Sequence, residues 1–250
     1  MLLGALAVSA AAQAPSWPAK PIRVVVPVPP AGAVDIVARI AASGLSGPLG
    51  QPVIVESRAG ARGVLGTELV AKAAPDGYTL LVTSNAFMVM PFVERKLPFD
   101  VLTSFAPVSL LATQPLVLAV HPAIAVHSVN EFVTLAKSRP VGISFATGAL
   151  GHYLAAEYFR RLAGFDMTHV PYKGGPAAVN DLVGGQVPVA LTGQSPMISY
   201  ARSGRIRAIA VTSKQRSTAL PEVPTLAESG IPNIDLFESI LMMAPAGTPP

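Results

Sequence analysis

The sequence contains no cysteine among its 250 residues. This absence excludes thiolate catalysis, zinc sites built on cysteine and disulfide bonds. Charged residues are also few, at 13%, whereas hydrophobic residues make up 51% of the chain. Because disordered chains are poor in apolar groups and rich in charge, this composition predicts a folded protein of one large or two modest domains.

Positive charge is slight and dispersed. The formal net charge is +4 and the isoelectric point is near 9.6, but no run of Lys and Arg interleaves with aromatic residues. We therefore expect no nucleic-acid partner, whereas a mild positive field favours a small anionic ligand. The histidines do not fall at metal-ligand spacings, so neither a metal nor a cofactor is expected.

Residues 1–14 form an apolar run that ends in small residues of the Ala-x-Ala type. The run is too short to span a bilayer and predicts a signal peptide that is cleaved after Ala12 or Ala14. The positively charged leader of such peptides is missing, so we expect the sequence to begin inside the signal. The alternative interpretation is an Ala-rich N-terminus of a cytoplasmic protein.

From Pro18 onward, short β-branched runs alternate with helical stretches, which is typical of βαβ units and mostly parallel sheets. The first group of strands is predicted at 23–27, 53–56 and 79–82, with helices at 35–45 and 67–74. The second group repeats this alternation with strands at 143–146, 168–170, 187–191 and 206–212, and helices at 129–136, 153–163, 176–183 and 197–202. We predict an α/β protein with lobe 1 at 15–120 plus 234–250 and lobe 2 at 121–233. The chain is expected to cross between lobes at 116–120 and 234–243.

Open α/β sheets bind ligands beyond the carboxyl ends of their strands, so the loops there are the candidate sites. A proline-rich loop follows the first strand and leads through Ala31, Gly32 and Ala33 to Asp35. Backbone amides of Gly32 and Ala33 would lie at a helix N-terminus, where free N–H groups and the helix dipole favour a carboxylate. The alternative is a tight turn in which Asp35 only occupies the first helical turn.

A second glycine-bearing loop repeats this design in lobe 2, with Thr147, Gly148 and His152 as candidates. Its hydroxyl and imidazole would join the backbone amides near a helix start. A single histidine at that position is also typical of a cap or a packing residue. Further candidate ligand-binding residues follow other strands: Ser84, Asn85, Tyr172, Lys173, Gly174, Gly193 and Gln194. For Lys173, a solvated surface charge is the alternative.

Two patterns resemble enzyme motifs without matching them. Gly60, Gly63 and Gly66 are spaced G-x-x-G-x-x-G rather than in the G-x-G-x-x-G pattern of dinucleotide loops. The segment 193–197 resembles a nucleophile elbow, but Met197 replaces the closing glycine and no ordered Asp and His partners are clear. We therefore predict that the protein is not an enzyme.

Several ordered segments together carry a family resemblance. They are Trp17-Pro18-x-Lys20-Pro21-Ile22-Arg23, the proline-rich loop ending in Asp35, Leu49-Gly50-Gln51-Pro52-Val53, Ala73-Ala74-Pro75-Asp76-Gly77-Tyr78-Thr79-Leu80, Phe105-Ala106-Pro107-Val108-Ser109, His169-Val170-Pro171-Tyr172-Lys173-Gly174, Gly184-Gly185-Gln186-Val187, Ala208-Ile209-Ala210-Val211-Thr212-Ser213 and Leu220-Pro221-Glu222-Val223-Pro224-Thr225. In these segments the chain resembles the Bug family, or TctC-like receptors, which serve tripartite tricarboxylate transporters.

The resemblance implies a type II periplasmic-binding-protein fold, with two lobes joined by two crossover strands. It also implies a monomeric periplasmic receptor that holds a small organic carboxylate through loop amides, hydroxyls and ordered water, and delivers it to membrane transporter subunits. A ligand-sensing subunit of a membrane signalling kinase is the alternative function, and an α/β enzyme is a third.

The sequence departs from the family pattern in places. The family usually has Gly-Gly where this chain has Ala31-Gly32, and the loop before His152 is shorter than usual. Both changes lie in the predicted pocket and therefore bear on substrate identity. Relatives also continue with a helical stretch beyond Pro250, so we expect the sequence to be a fragment or a degenerate copy.

Overall fold

The computed structural model describes residues 17–139 and 141–250 of the chain. The predicted signal peptide, 1–14, lies outside these residues. No helix in the described part has the length and apolar character needed to cross a membrane.

Strands and helices alternate along the first part of the chain, as the sequence predicts. Its elements are β1 (Ile22–Val26), α1 (Ala33–Leu49), β2 (Val53–Ser57), α2 (Val64–Ala71), β3 (Thr79–Ser84), the short α3 (Met90–Val93) and the long β4 (Phe105–Val120). Single 3-10 turns at Ala61–Gly63 and Asn85–Val89 precede α2 and α3.

The alternation continues after β4. The elements are α4 (Val129–Lys137), β5 (Ile143–Thr147), α5 (Leu150–Ala163), β6 (Met167–Pro171), α6 (Gly175–Val183), β7 (Val189–Gly193), α7 (Ile198–Arg202), β8 (Arg207–Val211) and β9 (Phe237–Pro245).

Local sequence explains where the helices begin and end. In α1, the apolar side chains of Val34, Ala38 and Ala42 recur every four residues and are buried on one face. Gly50 ends this helix with a φ of 64°, a left-handed conformation that glycine adopts without steric cost. Ser128 starts α4 by accepting a hydrogen bond from the backbone of the third helical residue.

The strands form two sheets of similar design. In the first sheet, β2, β1 and β3 are parallel, and β9 and the first part of β4 follow as antiparallel neighbours. In the second sheet, β6, β5 and β7 are parallel, and the end of β4 lies antiparallel to both β7 and β8. Each sheet therefore combines a parallel half with the strands along which the chain passes between the lobes.

β4 is longer than the sequence predicts. The expected strand at 116–120 is the last part of a 16-residue strand, whose earlier residues pair with β9. Pro107 and Pro115 lie in this earlier part. Because proline is rare inside strands, the sequence pattern does not predict a strand there. The pairing shifts register between Pro107 and Ser109, which accommodates the irregularity. The lobe bounds stay a prediction.

Aromatic side chains pack against one another in both lobes. Phe132, Phe159 and Phe165 pack on one side of the second sheet, with ring centroids 5.2–6.1 Å apart. Phe87 and Phe105 meet edge to face at 5.3 Å in the first lobe. Such pairs contribute about 0.5–1.5 kcal/mol beyond their area burial. The two groups of rings belong to separate buried clusters, so each lobe has a core of its own.

Candidate functional site

A cavity of about 240 Å³ opens where the two lobes meet. One side comes from the end of β3 and the turn after it, the other from the first two turns of α5, and the floor from β4 and β9. The lining residues are Ser84, Asn85, Ala86, Val89, Leu116, Ala149, Gly151, His152, Leu154, Ala155, Tyr158, Leu236, Phe237 and Glu238. Most of this lining is apolar and the polar groups are few, which is typical of small-molecule sites.

The N-terminus of α5 lies at this cavity. Ala149 and Gly151 belong to the lining, and Ala149 is the N-cap residue, which has no side-chain oxygen to offer the helix. The first backbone hydrogen bond of this turn runs from the Tyr153 amide to the Ala149 carbonyl. The amides of 150–152 therefore lie before the first hydrogen bond of the helix. These amides and the positive end of the helix dipole make this wall suitable for an anion.

A carboxylate on β9 forms the most polar part of the floor. The side chain of Glu238 is 11% exposed, and its Oε2 accepts a 2.5 Å hydrogen bond from Gln114 Nε2. Its Oε1 lies 3.7 Å from His152 Nε2, which is too long for a hydrogen bond. Gln114 in turn accepts hydrogen bonds from the Ser195 amide and hydroxyl at 3.0 and 2.6 Å.

The charge on this carboxylate is set by two opposing effects. Burial of Glu238 raises its pKa, but the neighbouring His152 and the Gln114 amide together outweigh burial and hold the pKa below its ordinary value. Glu238 is therefore ionised at neutral pH, and the cavity carries an acidic group of its own.

His152 is held by the second sheet. Its Nδ1 is hydrogen-bonded to the Thr192 hydroxyl at 3.1 Å, whereas its Nε2 is buried and has no hydrogen-bond partner among residues 17–139 and 141–250. The ring is thus fixed by one nitrogen, and the other is directed toward the Glu238 carboxylate.

Gly193 makes room for this cluster. A Cβ at this position would lie 2.5 Å from Gln114 Nε2 and 2.6 Å from Glu238 Oε2, closer than a side chain permits. Glycine at the end of β7 thus leaves room for the Gln114 amide and the Glu238 carboxylate to contact each other. The structure indicates a packing role for Gly193, and its predicted ligand contact stays a prediction.

Some of the predicted residues line the cavity, namely Ser84, Asn85 and His152. Ser84 is buried at the end of β3. The Asn85 amide nitrogen donates to the Phe237 carbonyl at 2.9 Å, and its oxygen accepts from the Ser239 amide at 3.3 Å. Asn85 therefore ties the first lobe to the crossing strand β9, besides lining the cavity.

The first predicted loop lies outside the lining of this cavity. Ala31 has a φ of 66° and its amide donates to Asp35 Oδ2 at 3.1 Å, an atom that also accepts from Arg39 at 3.0 Å. Burial raises the pKa of Asp35, but the Arg39 and Ala31 hydrogen bonds outweigh burial and lower it. Gly32 is the N-cap residue of α1 and Ala33 begins the helix. A ligand-binding role for this loop stays a prediction.

The remaining predicted side chains have protein partners or face solvent. The Thr147 hydroxyl is hydrogen-bonded to His169 at 2.7 Å, and the Tyr172 hydroxyl donates to Asp181 at 2.6 Å. Lys173 is exposed.

The other predicted backbone positions are packed against neighbouring loops. A Cβ at Gly148 would lie 2.3 Å from the Gly175 nitrogen, so this loop and the start of α6 are in close contact. Gly174 caps α6 with a φ of 118°, and Gln194 Oε1 accepts from the Ser217 hydroxyl at 2.5 Å. Neither the Thr147–Gly148 pair nor Tyr172, Lys173, Gly174, Gly193 and Gln194 belongs to the cavity lining.

Sequence reasoning missed Gln114, Phe237 and Glu238. The predicted crossing at 234–243 includes the last two, but strand periodicity does not identify which side chains face a ligand. A signal was present: Glu238 is the acidic residue in a strand that is otherwise mostly apolar. A carboxylate is rarely placed in such a strand unless it has a partner or a function.

The chain is similar to known proteins over nearly its whole length. Residues 37–250 match the TctC family, described as the tripartite tricarboxylate transporter family receptor. BugT of Bordetella pertussis is 40% identical over 251 residues, which span 97% of this chain and 76% of BugT.

The chain is also similar to solved structures. The periplasmic binding protein BugD is 33% identical, with a TM-score of 0.86 over 93% of this chain and 79% of BugD. An R. palustris protein whose structure holds adipate is 32% identical, with a TM-score of 0.89 over 93% of this chain and 79% of that protein. This likeness confirms the predicted periplasmic-binding-protein fold.

Proposed function

Because the chain belongs to the TctC family of tripartite tricarboxylate transporter receptors, we propose that it captures a small organic carboxylate for a transporter of this type. The family resemblance noted in the sequence is thereby confirmed. The adipate in the R. palustris relative supports a carboxylate as the ligand class. Receptors of this kind bind and release their ligand unchanged, so we propose a binding function without catalysis.

The observation that carries the proposal is the position of the α5 N-terminus at the cavity. Its amides have no side-chain cap, because Ala149 precedes the helix, and they adjoin the lining residue Gly151. A ligand carboxylate bound there would satisfy these amides and meet the positive end of the helix dipole. The nearby Ser84 hydroxyl lines the same cavity and is placed to add a hydrogen bond from the other lobe.

A ligand held between two lobes favours the closed arrangement by its difference in affinity for the closed and open forms. The contacts from β3 and from α5 lie on opposite sides of the cavity, so a ligand that bridges them links binding to closure. The closed form is the one we propose to be recognised by the membrane subunits. The predicted signal peptide supports a periplasmic location for this step.

Thermal unfolding with and without carboxylates tests the proposal. A ligand that binds only the native state stabilises it by about 2.7 kcal/mol at one hundred times its Kd. For a chain of this length, that corresponds to a rise in Tm of about 5–10 °C. Dicarboxylates, monocarboxylates and amino acids form the panel, and the methyl ester of each active compound should have little effect. Native mass spectrometry of the purified protein provides a second measurement, and mass spectrometry of the ligand after incubation checks that it is unchanged.

Gly151→Ala places a methyl group in the cavity at an ordinary 3.7 Å from Ala86 Cβ, so the fold tolerates it. We expect binding to weaken by about tenfold or more, the usual effect of one methylene in a fitted pocket. Gly44→Ala makes the same change in α1. Among the described residues, no heavy atom outside the local helix backbone lies within 4 Å of the added Cβ, so this variant should leave binding unchanged. Equal binding by both variants, or a panel without any stabilising carboxylate, contradicts the proposed function.

A further inference from the structure

We propose that the cavity selects carboxylates that also carry a hydrogen-bond-donating or positively charged group, such as an amine, and discriminates against dicarboxylates, with Glu238 as the specificity-determining residue. This inference rests on the proposed function and names the substrate class of the same site.

The geometry of Glu238 points to this specificity. The residue lines the cavity, and one of its oxygens is already paired, since Oε2 accepts from Gln114 Nε2. Within the described residues, Oε1 accepts no hydrogen bond, and the His152 imidazole Nε2 lies 3.7 Å away. A ligand that presents an N–H group beside Oε1 would supply the missing donor.

The neighbouring imidazole does not replace such a donor. His152 Nε2 is buried, and the part of the chain that the structure describes gives it no hydrogen-bond partner, even though the ring is anchored through Nδ1. His152 and Glu238 both line the cavity, so a ligand there can reach the Glu238 carboxylate directly. At 3.7 Å the imidazole leaves Glu238 Oε1 without a hydrogen bond, and a donor from the ligand would supply one on the cavity side.

The side chains around Glu238 hold its carboxylate in place. Gln114 reaches Glu238 from β4, and its own oxygen is held by the amide and hydroxyl of Ser195. Gly193 leaves the space in which these side chains meet. Burial raises the pKa of Glu238, but His152 and, to a smaller extent, the Gln114 amide lower it below its ordinary value and favour the ionised carboxylate.

The two polar parts of the cavity differ in sign. The α5 N-terminus is a positive region that suits one carboxylate of a ligand, whereas Glu238 is a negative group on the floor. A second ligand carboxylate near Glu238 would meet a like charge in a largely apolar, partly desolvated space. Such a contact lowers affinity by roughly tenfold or more, whereas an ammonium at the same place is attracted.

Matched pairs of linear ligands test the proposal by isothermal titration calorimetry. Each pair shares its chain length and one carboxylate and differs at the other end: succinate with 4-aminobutyrate, glutarate with 5-aminopentanoate, and adipate with 6-aminohexanoate. We expect the amino acid of the best-bound pair to bind at least about tenfold more tightly than its dicarboxylate. Glu238→Gln, which keeps an oxygen to accept from Gln114, should abolish or reverse this preference.

Glu222→Gln is the matched control, since it makes the same chemical change at an exposed position and should keep the wild-type preference. A wild-type protein that binds the dicarboxylate as tightly as the amino acid overturns the inference and leaves the carboxylate-receptor function standing. If no carboxylate binds, both proposals fall. If Glu238→Gln does not fold, the ratio of the two Kd values that the wild type shows within each ligand pair still tests the proposed preference.

Discussion

Replacement of Gln114 by Met tests whether this amide stabilises the carboxylate on the cavity floor. Gln114 is 6% exposed, donates to Glu238 over 2.5 Å, and accepts two hydrogen bonds from Ser195. Met keeps the length of the side chain and removes the amide. A hydrogen bond to a charged group contributes about 1.5–3 kcal/mol, whereas exposed Ser195 can exchange its bonds for water. We expect the free energy of unfolding to fall by about 2–3 kcal/mol.

Urea denaturation at pH 7 measures this loss, and thermal unfolding should show a Tm lower by about 4–12 °C. The pH dependence provides a second check. The pKa of Glu238 is lower in the folded protein than its ordinary value of 4.5, so its ionised form stabilises the fold above that pH. This contribution disappears as the pH falls through the folded pKa. The difference between wild type and Gln114→Met should therefore be largest near neutral pH and shrink below pH 4.5.

A double-mutant cycle separates this effect from general repacking. In a Glu238→Gln background, the Gln114→Met change no longer leaves a buried charge without a donor. The loss in the free energy of unfolding should therefore be smaller by at least about 1 kcal/mol. A loss below about 0.5 kcal/mol in the single variant, or the same loss in both backgrounds, would refute the assigned role of Gln114.

Other expected outcomes follow from local contacts. Gly148→Ala should destabilise the protein by about 1–3 kcal/mol in urea unfolding, because the added Cβ would lie 2.3 Å from the Gly175 nitrogen. Gly44→Ala should stabilise it by about 0.5–1 kcal/mol, since its Cβ meets nothing within 4 Å and alanine favours the helix. Ser128→Ala removes the cap of α4 and should cost about 1 kcal/mol by the same assay. Burial and the neighbouring Asp181 carboxylate raise the pKa of Tyr172 to about 12. This group therefore stabilises the fold below its unfolded pKa of 10.0 and loses that effect as the pH rises toward 12. In Tyr172→Phe, the free energy of unfolding should decrease less between about pH 10 and pH 12 than in the wild type.

Much of the fold could be predicted because the signals are local. The β-branched run of β1 and the apolar spacing of α1 each reflect which side of one element is buried. The N-terminal half of β4 was missed, because its prolines contradict the usual composition of a strand and only pairing with β9 keeps the segment extended.

The candidate site could be predicted only where a loop lies directly at a strand end. Ser84 ends β3, Asn85 follows it, and His152 lies at the start of the helix after β5, so the rule that ligands bind beyond strand ends identified residues that line the cavity. The same rule also selected Thr147 and Tyr172, whose hydroxyl groups are hydrogen-bonded to His169 and Asp181. Strand-end position does not tell whether a side chain is already paired inside the protein.

The sequence by itself determined the alternation of strands and helices, the caps and the family, because each of these depends on neighbouring residues or on ordered motifs. Only the tertiary structure decided that Gln114 and Glu238, 124 residues apart, share a hydrogen bond beside His152. The physical reason is that β4 and β9 pair as crossing strands, which brings together side chains from distant parts of the chain. The apolar strand around Glu238 marks this carboxylate as unusual, but whether it is a surface charge or the floor of a cavity depends on that pairing.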